Sequence, residues 1–151
     1  VDTMARLFEL KNIIGVKDAT GDLNRVNQQK EKMGPDFIQL SGEDGTALEF
    51  NMRGGVGCIS VTANVAAKIC SEFQEASISK NNSNLIAKAK QINDKLTPLH
   101  KSLFIESSPS PVKYAASLLK LCSDEVRLPL VKVTEETKKT IRSAMTHANL
   151  I

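Results

Sequence analysis

The sequence predicts an α/β fold: parallel strands alternate with helices as far as Ser79, and only helices follow. Three observations carry this. Ile13–Val16, Phe37–Leu40 and Cys58–Val61 are short runs with β-branched or aromatic residues, each the length of a buried strand. Each run leads through a short loop into a helical pattern, and strand–helix units of about 20 to 25 residues imply parallel strands with right-handed crossovers. Beyond Ser79 the apolar residues keep helical spacing only. Strand spacing alone fits either a doubly wound sheet or a (β/α)8 barrel.

The opening segment "VDTMARLFELKN" reads as helical sequence. After the first strand, Thr20 and Asp22 are capping residues for a helix marked by Leu23, Val26 and Met33 and ended by Gly34-Pro35. After the second strand, "SGEDGTALEFNMRGG" gives a turn, a short helix marked by Leu48 and Met52, and a Gly54-Gly55 stop. Thr62 or Asn64 caps the next helix, with Val65, Ile69, Phe73 and Ala76 on its apolar side. Leu85, Ala89, Ile92, Leu96, Leu99 and Leu103 then form one long stripe, which Pro98 should bend or strain locally. A further helix starts at Pro109 to Pro111 and buries Val112, Ala115, Ala116 and Leu119. "RLPLVKV", Arg127 to Val133, is an extended connector. Thr134 caps the last helix, where Glu135 and Glu136 precede Lys138, Lys139 and Arg142 and so complement the helix dipole. Ile141, Met145 and Ala148 face inward. The division falls into residues 1–79, the strand–helix part, and 80–151, a helical domain.

Composition narrows the function classes. The 151 residues are 41% hydrophobic and 25% charged, with a net charge of +3 and mixed signs throughout, as in an ordinary globular domain. Aromatics are 4% and no basic stripe carries them, which argues against a nucleic-acid surface. No apolar run approaches the ~18 residues of a membrane span, and no leader pattern stands at the start. Cys58, Cys70 and Cys122 are scattered, with no C-x-x-C, which fits buried free thiols in a reducing cytoplasm. His100 and His147 are far apart, so zinc ligation is disfavoured.

Lys17 is the first candidate for chemistry. A lysine at the C-terminal end of a parallel strand stands where such folds build active sites. An ammonium among apolar walls loses solvation, which favours the neutral nucleophilic amine that a Schiff base requires. The bland reading is a lysine that snorkels into water, and it is the commoner case. "SGEDG", Ser41 to Gly45, has the position of a phosphate loop and the wrong charge. Glu43 and Asp44 read instead as cap and first-turn residues, and Gly42 as a point of close backbone approach. "RGGVG", Arg53 to Gly57, follows a helix and precedes a strand, the reverse of a nucleotide fingerprint. Ser60 and Thr62 either bond a ligand or cap the next helix, and capping is the commoner role. "ESSPSP", Glu106 to Pro111, reads as a helix start.

"NIIGVKDATGDL", "QLSGEDGTALEFNMRGGVGCISVTANVA", "PLHKSLFIESSPSPVKYAASLLKL" and "RLPLVKVTEETKKTI" together resemble the second half of the dihydrodipicolinate synthase family of pyruvate Schiff-base lyases. The likeness runs in order through essentially the whole chain. It implies a (β/α)8 TIM barrel, with the three strands here as the sixth to eighth, followed by a three-helix C-terminal bundle. It implies condensation of pyruvate with aspartate-4-semialdehyde in the diaminopimelate route to lysine. Lys17 matches the imine-forming lysine, and Gly42 and Ile59 match backbone positions lining the pyruvate pocket. No metal or organic cofactor is implied, because the imine is itself the electron sink. A cytoplasmic homotetramer is the family's usual form, with no nucleic-acid or membrane partner.

The chain departs from the family pattern in what it contains. It has no G-T-T-G-E segment, whose threonine helps bind the pyruvate carboxylate. It has no Y-x-x-P region, with its relay tyrosine close to the arginine that receives the second substrate. Its single tyrosine, Tyr114, matches no relay position. Sister aldolases, such as N-acetylneuraminate lyase or a 2-keto-3-deoxy sugar acid aldolase, share the barrel and the lysine, although "SVTANVA" favours the synthase. A non-catalytic fragment whose bundle makes subunit contacts is the third reading. Three strands cannot close a barrel, so this polypeptide alone is expected to be unstable, aggregated or dependent on a partner.

Overall fold

The computed structural model describes residues 1–79 and 81–151. Its elements run α1 (Asp2–Phe8), β1 (Gly15–Asp18), α2 (Asn24–Met33), β2 (Ile38–Ser41), a 3-10 turn at Asp44–Thr46, α3 (Ala47–Arg53), α4 (Ala63–Ser77), α5 (Ser83–Ser102), α6 (Ser110–Leu118) and α7 (Glu135–His147). The chain divides into one unit of residues 1–60 with 74–90 and another of residues 61–73 with 91–151.

In the first unit β1 and β2 pair in parallel, with Lys17 opposite Leu40 and Asp18 opposite Ser41. The expected third strand at Cys58–Val61 is reduced to one parallel bridge between Ser41 and Cys58. Three further bonds align the segment with β2: Val56 N–H to Gln39 O at 3.0 Å, Ser41 N–H to Gly57 O at 2.9 Å and Ile59 N–H to Ser41 O at 2.8 Å. Pairing therefore ends at Ile59, and Ser60 and Val61 belong to the turn that enters α4. β1 likewise begins two residues later than the apolar run Ile13–Val16, because the ladder with β2 sets its limits.

Burial on this small sheet runs against hydropathy. Gln39 is 3% exposed, whereas its neighbour Ile38 is 40% exposed. Gln39 lies on the helix side and donates to the Val26 carbonyl at 3.1 Å. The helix-side core holds Val26, Met33, Phe37, Ala47 and Phe50. Met52, expected as a marker of the buried side of α3, is exposed, and Phe50 and Asn51 take that face. Asn51 donates to Gln74 Oε1 at 2.7 Å and Ser77 Oγ at 2.8 Å, so its amide replaces an apolar contact there. Asp22 Oδ1 accepts the Asn24 N–H at 3.0 Å, as its capping position predicts. Gly34 closes α2 at φ 85°, where a side chain would be strained.

In the second unit Leu96, Leu99 and Leu103 are fully buried against Val112, Ala115 and Ala116 of α6 and Ile141, Ala144 and Met145 of α7. The stripe therefore packs as its spacing predicts. α5 runs on through Pro98. Thr134 Oγ1 accepts the Thr137 N–H at 3.4 Å and caps α7. The connector from Arg127 holds a turn, closed by Leu130 N–H to Arg127 O at 3.0 Å, rather than being extended throughout. Thr62 Oγ1 lies 2.7 Å from His100 Nδ1, both buried, which places His100 in a polar contact inside the core. The thiols differ in setting: Cys70 is buried, Cys58 half-buried and Cys122 exposed, so burial is not common to all three. Among the described residues no helix is long and apolar enough to cross a membrane.

Candidate active site

Parallel pairing sorts the strand residues onto two faces, since paired residues point the same way and neighbours alternate. Lys17 shares its face with Gly15, Ile38 and Leu40. Cys58 pairs with Ser41 and so points to the other face, which puts Gly57 and Ile59 on the lysine side. Gly42, next in phase after Leu40, lies there too. The three residues singled out by the sequence, Lys17, Gly42 and Ile59, thus meet at the C-terminal end of one sheet face.

Gly42 is where the close approach occurs. A Cβ built on it would overlap the Lys17 Cε and stand 2.7 Å from the Ala19 Cβ. The lysine stem therefore occupies the volume that any side chain at position 42 would need. The N–H of Gly42 donates to Asp18 O at 2.8 Å and that of Ile59 to Ser41 O at 2.8 Å. With both donors engaged in the ladder, these positions have carbonyl oxygens to offer a ligand. Lys17 itself is exposed rather than walled in. Ile38 at 40% and Ile59 at 54% exposure are the open apolar surface on its face.

On the opposite face the strand end is locked by a network that sequence reading missed. Asp18 Oδ2 accepts from Arg25 Nε at 2.7 Å and Gln29 Nε2 at 3.2 Å. Its Oδ1 accepts the Thr20 N–H at 2.9 Å and the Thr20 hydroxyl at 2.6 Å. Burial pushes the Asp18 carboxyl up, but the Arg25 guanidinium and the Thr20 donors outweigh it and hold it at about 2. The available signal was the i,i+4 spacing of Arg25 and Gln29 on one side of α2. Thr20, read as a helix cap, serves Asp18 instead.

Beyond β2, Ser41 Oγ accepts the Glu43 N–H at 3.1 Å and donates to Glu43 O at 3.0 Å. Glu43 caps the 3-10 turn by accepting the Gly45 N–H at 3.2 Å, and Asp44 is its first residue, as the acidic loop predicted. Asp44 is buried and accepts the Ser60 hydroxyl. Ser60 is therefore bonded to a carboxylate across the sheet end.

The sequence profile described as the dihydrodipicolinate synthetase family matches residues 1–148. Over all 151 residues the chain is 67% identical to the 4-hydroxy-tetrahydrodipicolinate synthase of Pelagibacter ubique, covering 51% of that protein. It is 55% identical to that of Parvibaculum lavamentivorans, covering 50% of it. Among solved structures, chloride-inhibited dihydrodipicolinate synthase from Acinetobacter baumannii, complexed with pyruvate, matches with a TM-score of 0.91 at 40% identity. That match covers 99% of this chain and 50% of the other. The dihydrodipicolinate synthase of Aquifex aeolicus matches with a TM-score of 0.91 at 34% identity, again over 99% of this chain and 50% of that one. The chain spans about half the length of the curated relatives it matches. On sequence and on backbone alike, it belongs to the dihydrodipicolinate synthetase family.

Proposed function

We propose that this chain carries the imine-forming part of a pyruvate-dependent lyase, 4-hydroxy-tetrahydrodipicolinate synthase, which condenses pyruvate with aspartate-4-semialdehyde. The observation that carries the reading is the lysine at a parallel strand end, its stem bedded on Gly42, in a chain so similar to named synthases. In this reading residues 1–79 belong to a (β/α)8 barrel as its sixth to eighth strand–helix units, and residues 80–151 form the C-terminal bundle. The working form is a cytoplasmic homo-oligomer with a complete barrel.

The chemistry follows from the groups present. The Lys17 amine adds to the ketone carbon of pyruvate, the ketone oxygen leaves as water, and an imine remains. The protonated imine draws electrons from the adjacent methyl, so loss of a proton there gives an enamine. The enamine carbon then attacks the aldehyde of the second substrate. No metal is needed, because the iminium nitrogen accepts the electron pair. The carbonyl oxygens of Gly42 and Ile59 are acceptors, which suits the polarised methyl and iminium and repels a carboxylate. The pyruvate carboxylate therefore requires donors other than these two positions.

Borohydride trapping tests the reading. Hydride reduces the imine to a stable secondary amine, and peptide mass spectrometry locates it. A pyruvyl adduct on Lys17, absent from Lys17→Ala, supports the function. A soluble, folded sample with no adduct overturns imine formation by this chain.

A further inference from the structure

We infer that Asp44 and Ser60 are positioning residues for this site, a side-chain clip that fixes the distance between the Gly42 and Ile59 carbonyls. The inference rests on the imine reading for its consequence, but its geometry stands without it. Asp44 lies two residues beyond Gly42, and Ser60 immediately follows Ile59. The buried Asp44 carboxylate accepts the Ser60 hydroxyl, and Cys58 Sγ lies 4.0 Å from the same oxygen. Cys58 and Ser60 flank Ile59 in sequence and point away from the lysine face, so the clip grips this segment from behind. On the other arm, Ser41 brackets Glu43 through two bonds and ties the turn to β2.

The need for such a clip is physical. The bridge between Ser41 and Cys58 is a single one, and strand pairing stops at Ile59. A segment held by so short a ladder frays unless another bond closes it, and a hydroxyl bonded to a buried carboxylate is among the stronger closures. Without it Ile59 would move relative to Gly42, and both would move relative to the amine they serve.

The test uses Ser60→Ala, Ser60→Thr and, as a control for stability alone, the core variant Val112→Ala, all in the full chain in the assembly it forms in solution. Pyruvate is titrated while the Lys17 adduct is trapped. Loss of a bond to a charged group should raise the half-saturating pyruvate about tenfold in Ser60→Ala. The limiting trapping rate should change less than about twofold, since the amine itself is untouched. Ser60→Thr should restore saturation, and Val112→Ala should leave it unchanged. Saturation of Ser60→Ala at the wild-type concentration overturns the inference. If wild type forms no Lys17 adduct, the imine reading fails, and amide exchange decides the clip by itself. The Gly42 and Ile59 amides should exchange at least tenfold faster in Ser60→Ala, with Val26 unchanged. Equal exchange in both proteins overturns it.

Discussion

The side-chain stem of Lys17 lies over Gly42, in the volume where a side chain at position 42 would begin. Two residues 25 positions apart in sequence are therefore sterically coupled. Gly42→Ala must displace either the lysine or the Ala19 Cβ, which would stand 2.7 Å from the new atom. Overpacking of this kind costs about 1 to 3 kcal/mol. Trapping of the pyruvate adduct on Lys17 should fall at least tenfold, more than the loss of folded protein explains. Wild-type trapping in Gly42→Ala would show that the stem repositions freely.

Asp18 gives a signed dependence on pH. Its carboxyl is held at about 2, below the ordinary aspartate value of 3.8. The stabilisation is complete above the unfolded value and is lost as pH falls through 3.8 towards 2, amounting to about 2 kcal/mol. Urea denaturation of wild type and Asp18→Asn should differ by that amount at pH 7 and converge by the lowest pH at which both stay folded. A gap independent of pH would mean that charge does not hold this strand end.

Arg25→Met removes the guanidinium and leaves the buried carboxylate with Gln29 and Thr20 alone. Breaking this pair should cost about 2 kcal/mol, less than for a fully buried pair because the Arg25 side chain keeps 29% exposure. Arg25→Lys should recover part of the loss. The comparison is read from denaturation midpoints at constant slope.

The second unit should respond to its own core. Leu99 is fully buried in the cluster with α6 and α7. Leu99→Ala should destabilise by about 3 kcal/mol, through lost transfer energy and a cavity. Thr134→Ala, which removes the α7 cap, should cost about 1 kcal/mol. A reversal of that order in thermal melts would show that α7 is held by its cap more than by its buried face.

The lysine face predicts how the 151-residue chain behaves alone. Ile38 and Ile59 leave apolar area exposed on it, beside the edge of a sheet that has two strands among the described residues. Sedimentation at micromolar concentration should show self-association, and Ile38→Lys should reduce it. A monodisperse, cooperatively melting monomer would contradict this.

The sequence alone determined what local chemistry governs. Helical stripes such as Leu96–Leu99–Leu103, the Thr134 cap, the Gly34 stop and the acidic turn at Glu43-Asp44 were all legible, because each depends on spacing within one element. The motifs around Lys17, Gly42 and Ile59 were legible as a family likeness. Only the tertiary structure decided the rest. Strand limits came from the ladder, so the third strand shrank to a bridge at Cys58. Hydropathy would have buried Ile38 and exposed Gln39, but the helix layer covers the face that carries Gln39, and the lysine face stays open. The partnerships of Asp18 with Arg25, Asp44 with Ser60 and Thr62 with His100 join residues from 7 to 38 positions apart. The i,i+4 spacing of Arg25 and Gln29 marks one side of α2 but names no partner, because a hydrogen bond depends on where the fold brings its two groups and not on their separation along the chain.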